Sequence, residues 1–478
     1  MPQTASIKKN VFYSSFLTTA NYLFTFLTYP YVSRVLGVEK IGAVNFIDSV
    51  INYFIMLSML GIVIVGIRDV ARTRNDREEL NRTFSSILFL NIAFTVVALG
   101  ALGITYLLMP ELQGHGGLVM IGVVKLIANV FLMDWFFKGI ENFKIITIRT
   151  FIVRTIYVVC TFLFIHSPED YAVYFALIAA SVLLNAIANC MYMRKYVSLT
   201  FSNLNIRGLL PSILILGLYM FFGNFYSSFN TMVLGIECGD VEVGYFTTAT
   251  KLYTIFLSLF SAFTSVMMPR MSSLLKENRL DEYRYMFQKS VSLLIAFCLP
   301  LVFLSIIQSG NIILLISGKG YEGAVVPMMI CMPLLLVIGY SQILINQGLM
   351  PLGKDKAILT SSIIGGLMAL GLCFILIPRY GSVGSAMLWV ISEISVNVVA
   401  GYFVYRHIRI SFPIRQIGAA LLWHSPLLVL LILLKEISGE FLVNLIVASA
   451  ITFAYCFTLQ CFVIKNQTIR GLFRIGHE

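Results

Sequence analysis

The chain is poor in charge. Only 12% of its 478 residues are Asp, Glu, Lys or Arg, whereas 58% are hydrophobic and the mean hydropathy is +0.88. A soluble domain carries roughly a quarter charged residues, and a soluble chain this apolar would present an adhesive surface. An ordinary soluble domain is therefore excluded. Long polar insertions are lacking as well, including the large outward loop expected of a membrane-embedded glycan polymerase or ligase. The eight cysteines (Cys160, Cys190, Cys238, Cys298, Cys331, Cys373, Cys456 and Cys461) show no CxxC or metal spacing. They read as small buried hydrophobes, and no metal site is expected. No catalytic triad is discernible, so no catalytic residue is expected and the chain is not read as an enzyme. The glycine-rich GKGYEG at 318–323 lacks the residues of a phosphate loop. Without an ATP-hydrolysing module, active transport would draw on an H⁺ or Na⁺ gradient or on the membrane potential. Lys8 and Lys9 precede a long apolar run with no small-x-small cleavage site, so this run is read as a first span that is retained.

What the chain has in abundance is apolar runs. Fourteen fall at 11–33, 43–67, 84–109, 117–138, 148–166, 171–193, 210–235, 243–267, 290–308, 323–348, 357–378, 382–405, 417–434 and 441–464. Each approaches the roughly 20 residues that cross a bilayer. All are expected to be helices, because backbone facing lipid must satisfy its own hydrogen bonds.

The net charge of +11 is not gathered into one patch, which argues against a nucleic-acid partner. Basic residues recur in alternate connections, for example Arg68, Arg72, Arg74, Arg77 and Arg82, or Arg270, Lys276, Arg279, Arg284 and Lys289. Lys138, Lys144 and Arg149 are assigned to the same side. The opposite side carries only Arg34, Lys40, Lys319, Arg379 and Lys435. The positive-inside rule then places both termini in the cytoplasm.

An internal duplication is also visible. Span one ends in SRVLGVEKIGAVNF and span seven in TMVLGIECGDVEVGYF, which aligns Gly37 with Gly235. Two six-helix lobes, 1–205 (spans 1–6) and 206–410 (spans 7–12), would be followed by 411–478 with spans 13 and 14 and a cytoplasmic tail. Parallel repeats of this kind belong to transporters that hold substrate between two halves.

Polar residues within spans are costly and therefore informative. Span one carries Ser14, Thr18, Asn21, Thr25 and Thr28 on one helical face. Span eight repeats the device with Thr247, Lys251, Thr254, Ser258, Ser261 and Ser265. Span two offers Asn45, Asp48 and Asn52, and span seven offers Asn224. Together these rows predict a shared polar cavity.

The charges inside spans are Lys125, Arg154, Lys251, Asp48, Asp134 and Glu393. An Asp134–Arg154 ion pair is expected between spans four and five. In one continuous helix Lys125 and Asp134 are nine residues apart, about 900° of rotation at 100° per residue, and so face opposite ways. Lys251, on an uninterrupted polar row, is the strongest cation. Arg34 and Arg379 lie at outer span ends, where they could rim the cavity. Asp48 and Glu393 are the candidate ion-coupling carboxylates.

The segments YPYVSRVLGVEKIGAVNF (29–46), GIRDVARTRND (66–76), VGYFTTATKLY (243–253), VMMPRMSSLL (266–275) and RYGSVGSAMLWVISE (379–393) resemble the bacterial oligosaccharide repeat-unit flippases. These form the polysaccharide-transporter branch of the multidrug/oligosaccharidyl-lipid/polysaccharide (MOP) exporter superfamily. The resemblance implies an all-α polytopic protein of the inner membrane with 14 transmembrane helices. Its two six-helix lobes would form a V, plus two C-terminal helices. It also implies movement of undecaprenyl-pyrophosphate-linked oligosaccharide to the outer leaflet, for O-antigen, capsule or exopolysaccharide, by alternating access. The implied partners are this lipid-linked substrate, the bilayer, and the polymerase and glycosyltransferases of its pathway. No cofactor beyond an ion gradient is implied. Cavity cations typical of such proteins would here be Lys251, Lys125, Arg154, Arg34 and Arg379. The alternative is an ion-coupled exporter of drugs or organic cations in the same superfamily, which would favour acids in the cavity.

Overall fold

Apolar runs in lipid satisfy their peptide groups best as helices, and every element among the described residues is helical. The computed structural model describes residues 7–202, 204–437 and 440–464. Within these helices the side chains of 7–12, 14, 15, 18, 19, 21, 22, 218–228, 255, 259, 262, 265, 266, 269, 436 and 437 lie outside the description.

The chain divides into two compact units, Met1–Thr247 and Thr248–Glu478. The first contains α1 (Ile7–Met59), α2 (Ile62–Thr73), α3 (Arg77–Leu108), α4 (Pro110–Gln113), α5 (Gly116–Val130), α6 (Asp134–Gly139), α7 (Phe143–Phe164), α8 (Tyr171–Met193) and α9 (Ile206–Cys238). The division falls inside α10 (Asp240–Lys276). The second unit continues with α11 (Leu280–Ile307), α12 (Ser309–Ser317), α13 (Val325–Cys331), α14 (Leu334–Gln342), α15 (Asp355–Ile408), α16 (Ile414–Ile437) and α17 (Phe441–Thr458). A π-helical turn, Ile343–Leu349, extends α14.

Ten segments of the described residues are long and apolar enough to cross a membrane. Two of them are broken by a glycine, Gly37 in α1 (φ 77°) and Gly381 in α15 (φ 53°). Exposed apolar residues such as Leu108 (76%), Leu422 (74%) and Phe453 (69%) suit contact with lipid rather than water.

In the first unit α1 packs against α3, α5, α7 and α9, while α5 packs on α8 and α2 on α6. Phe84 anchors this core, with its ring 5.6 Å from Trp135 and 4.9 Å from Phe136. In the second unit α11 packs against α14 and α16, and α13 and α14 pack on α15.

Three expectations are corrected. Span four is not one helix: α5 stops at Val130, Met133 takes a left-handed conformation (φ 40°), and α6 begins at Asp134. The helical-wheel relation between Lys125 and Asp134 therefore does not apply. Second, α10 and α11 run well past their apolar runs into the charged connection. There Arg270 bonds Glu282 at 3.0 Å, and Arg279 bonds Glu277 at 3.1 Å and also pairs with Glu282.

The third correction concerns the register of the repeat. Gly37 (φ 77°, ψ 170°) matches Gly239 (φ 82°, ψ 179°) in conformation, whereas Gly235 lies inside α9. Both glycines stop a helix in a region that residues with a Cβ avoid. Five residues later Gly42 and Gly244 make reciprocal contacts. A methyl on Gly42 would lie 1.7 Å from the Asp240 carbonyl oxygen, and one on Gly244 would lie 2.3 Å from that of Val38. The corner Gly37–Gly42 thus meets the corner Gly239–Gly244, backbone on backbone, as small residues allow.

Candidate functional site: the polar centres of the spans

An ammonium in an apolar helix is tolerated where a carboxylate and hydrogen-bond acceptors meet it. On α5, Lys125 Nζ lies 2.5 Å from Asp48 Oδ1 and 2.8 Å from Asn52 Oδ1, both on α1. Asn52 Nδ2 donates to the other Asp48 oxygen at 3.0 Å. Asp48 and Asn52 are one turn apart, so a single helical face presents both acceptors. The Lys125 side chain is 9% exposed and that of Asp48 27%.

Beside this centre stand the aromatic residues Tyr157 of α7 and Tyr174 of α8. Their side chains are within hydrogen-bonding reach of each other, and both feel the charge of Asp48. Arg154 of α7 sits 5.8 Å from the Tyr157 ring centroid. Unlike Lys125, it has no carboxylate within salt-bridge distance among the described residues.

The expected Asp134–Arg154 pair is absent from this arrangement. Asp134 instead accepts from Arg149 Nη2 at 3.0 Å and from Asn189 Nδ2 at 3.3 Å. Arg149, assigned by sequence to a cytoplasmic connection, is buried (6% exposed), because α7 starts at Phe143 and carries it into the bundle. Asn189 of α8 accepts from Arg149 and donates to the Leu132 carbonyl. That carbonyl belongs to the break between α5 and α6, where the regular helical bonding pattern ends. One asparagine thus joins the ion pair to the break.

In the second unit the hydroxyl row of α10 meets α14. Gln342 Nε2 donates to Ser261 Oγ at 2.8 Å, and Thr264 Oγ1 donates to Gln342 Oε1 at 3.2 Å. This clamp lies immediately before the π-helical turn. Lys251 is half-buried on α10, and Glu393 is buried on α15.

Among the other candidates, Asn45 and Thr254 bond to their own helices, at Ile41 and Thr250. Thr247 is half-buried and bonds to Val243. Thr25 is exposed and Ser258 half-buried. Arg34 and Arg379 are exposed, just before the helix-breaking Gly37 and Gly381. Ser14, Thr18, Asn21 and Asn224 lie outside the described side chains, so their cavity role stays an expectation. Of the eight cysteines, Cys298, Cys331, Cys373 and Cys461 are buried and Cys160, Cys190, Cys238 and Cys456 half-buried.

Long apolar helices whose interiors hold ion pairs and rows of hydroxyls define a polytopic membrane protein built like a transporter. The fold agrees. The structure superposes on the lipid II flippase MurJ in an inward closed conformation with a TM-score of 0.71 at 15% identity, covering 96% of this chain and 99% of that one. On an inward-facing multidrug resistance MATE family transporter of the MOP superfamily the TM-score is 0.64 at 17% identity, covering 82% and 94%. Residues 7–275 match the family of polysaccharide biosynthesis proteins, and the chain belongs to that family. It is 27% identical over 411 residues to a putative O-antigen transporter of Escherichia coli (strain K12), covering 84% of this chain and 97% of that one.

Proposed function

We propose that this protein carries a lipid-linked oligosaccharide from the cytoplasmic to the outer leaflet of a bacterial inner membrane, for assembly of a surface polysaccharide. The cargo proposed is an undecaprenyl-pyrophosphate-linked repeat unit, moved by alternating access without covalent chemistry. The putative O-antigen transporter matched along nearly its whole length supports the class of cargo. Dividing the two broken segments at their glycines and adding α9 and α10 turns the ten candidate spans into fourteen, the number on which the cytoplasmic placement of both termini depends. The reciprocal glycine corners support lobes at 1–205 and 206–410.

The observation that carries the reading is Arg154. A pyrophosphate crossing a low-dielectric slab needs cations whose charge is not already spent on a neighbouring acid. Lys125 is met by Asp48 and Arg149 by Asp134, whereas among the described residues Arg154 meets an aromatic face and no carboxylate within salt-bridge distance. Phosphate recognition is therefore assigned first to Arg154; Lys251 is proposed beside it for its place on the polar row of α10, with the Ser and Thr rows facing sugar. Lys125 acts through Asp48, and Asp48 and Glu393 remain the carboxylates proposed for H⁺ or Na⁺ coupling.

The test is complementation of a deletion strain with Arg154→Ala, Lys251→Ala and Lys125→Ala. Loss of surface glycan with normal protein levels in the first two supports the assignment. Full export in both would remove the phosphate role. Flanking glycosyltransferase genes would tie the protein to a glycan pathway, with its polymerase and transferases as partners.

A further inference from the structure

The corner where Gly42 meets Asp240 carries a titratable pair that the cargo reading does not use. His115 stands between α4 and α5, with a side chain 23% exposed. Its Nδ1 lies 2.9 Å from the Glu111 carbonyl oxygen, and its Nε2 lies 2.8 Å from Asp240 Oδ2. Both neighbours are acceptors. A neutral imidazole has one N–H, so one contact would set acceptor against acceptor; the imidazolium has two donors and satisfies both. Asp240 stands in the first turn of α10, where a negatively charged side chain suits the helix N-terminus.

We propose that His115 and Asp240 form a proton-binding latch on the outer corner of the bundle, holding one proton when the corner is closed and releasing it to the outer medium when the corner opens. The latch rests on the alternating-access reading above, in which the corners at Gly42 and Gly244 part. The proton enters and leaves on the same side. The latch therefore does not carry a proton across the membrane; it makes outer-end closure depend on external pH.

From α10 comes Asp240, the largest influence, and from α4 the Glu111 carbonyl; both hold the imidazole in its charged form. From α1, Lys40 opposes it, as does partial burial, and the Phe46 ring stands edge-on at 6.0 Å. The balance lies above the ordinary histidine value of 6.5. A raised closed-state value means the latch acts fully below the open-state value of about 6.5 and is lost as pH rises through the closed-state value. In the matching corner the residue equivalent to Asp240 is Val38, so the duplication supplies no second carboxylate there.

The test uses the full chain in lipid nanodiscs, with spin labels carried by non-natural amino acids at the exposed positions Glu111 and Val241. Distance distributions are recorded between about pH 5 and pH 9, the range histidine senses. The expected result is a short-distance population that declines with rising pH. Asp240→Asn should move the midpoint down toward the ordinary histidine value, and His115→Gln should abolish the response. A second readout is the imidazole ¹⁵N resonance assigned by its loss in His115→Gln, expected to show two N–H groups at about pH 6, below the ordinary histidine value. A distribution unchanged across the range, a response that survives His115→Gln, or a neutral ring in the closed corner overturns the latch. Neither readout depends on the cargo, so a failed flipping assay leaves this test standing.

Discussion

Lys125 Nζ and Asp48 Oδ1 lie 2.5 Å apart, joining α5 to α1 across 77 positions of sequence. With Asn52 bonded to both, the pair is a closed polar knot in an apolar interior. Its first role is to neutralise two charges that lipid would not accept separately.

Replacing Lys125 by Ala should leave Asp48 without a cation and destabilise the fold. Losing one partner of a fully buried pair costs about 3–5 kcal/mol, and the partial exposure of Asp48 sets the expectation below that range. Thermal unfolding in detergent measures the effect. Combining Lys125→Gln with Asp48→Asn should recover part of the loss, and a double variant no better than Lys125→Ala would contradict the pairing.

Arg149→Ala should be more damaging to stability than Arg154→Ala. The Arg149 side chain is 5% exposed and holds both Asp134 and Asn189, which in turn bonds the Leu132 carbonyl. Its loss strands a carboxylate and loosens the break between α5 and α6. Equal melting temperatures for the two variants would show that the Asp134 cluster contributes little.

For Arg154→Ala the expected split is the reverse: near-native melting with loss of surface-glycan export. Arg154→Lys keeps charge but loses the planar fork that binds phosphate oxygens in pairs, so partial export is expected. Glycan on the cell surface, normalised to protein level, is the readout.

Gly42→Ala should impair folding, because the added methyl would meet the Asp240 carbonyl at 1.7 Å. Gly100→Ala is the matched control. No neighbouring atom lies within 4 Å of a methyl there, and alanine favours helix by about 1 kcal/mol. Comparable stabilities for the two variants would refute the close approach of the corners.

The spans were legible because composition left the backbone few choices. The runs read at 357–378 and 382–405 correspond to the halves of α15 on either side of Gly381. Partners were harder to read, since a pair such as Asp48 and Lys125 depends on how separate helices register. Arg149 was placed with a connection because it stands at the very edge of the apolar run read from 148. The available signal was Asn142, which caps α7 and brings the helix start forward to Phe143. The break at Phe131–Met133 has no glycine or proline to announce it. It is held by Asn189, a residue 57 positions from Leu132, and so is written in tertiary contacts. The repeat was visible but misaligned, because Val-Leu-Gly matched by letter whereas the chain reuses the positive-φ glycine at 239.

The left-handed turn at Met133 gives span four a joint. The arm that bears Lys125 is moored to α1; the arm that begins at Asp134 is moored to α7 and α8. A rigid rod would transmit any twist at one end to the other. A jointed one does not, so the two charges inside one span are tied to different neighbours without a common helical register between them.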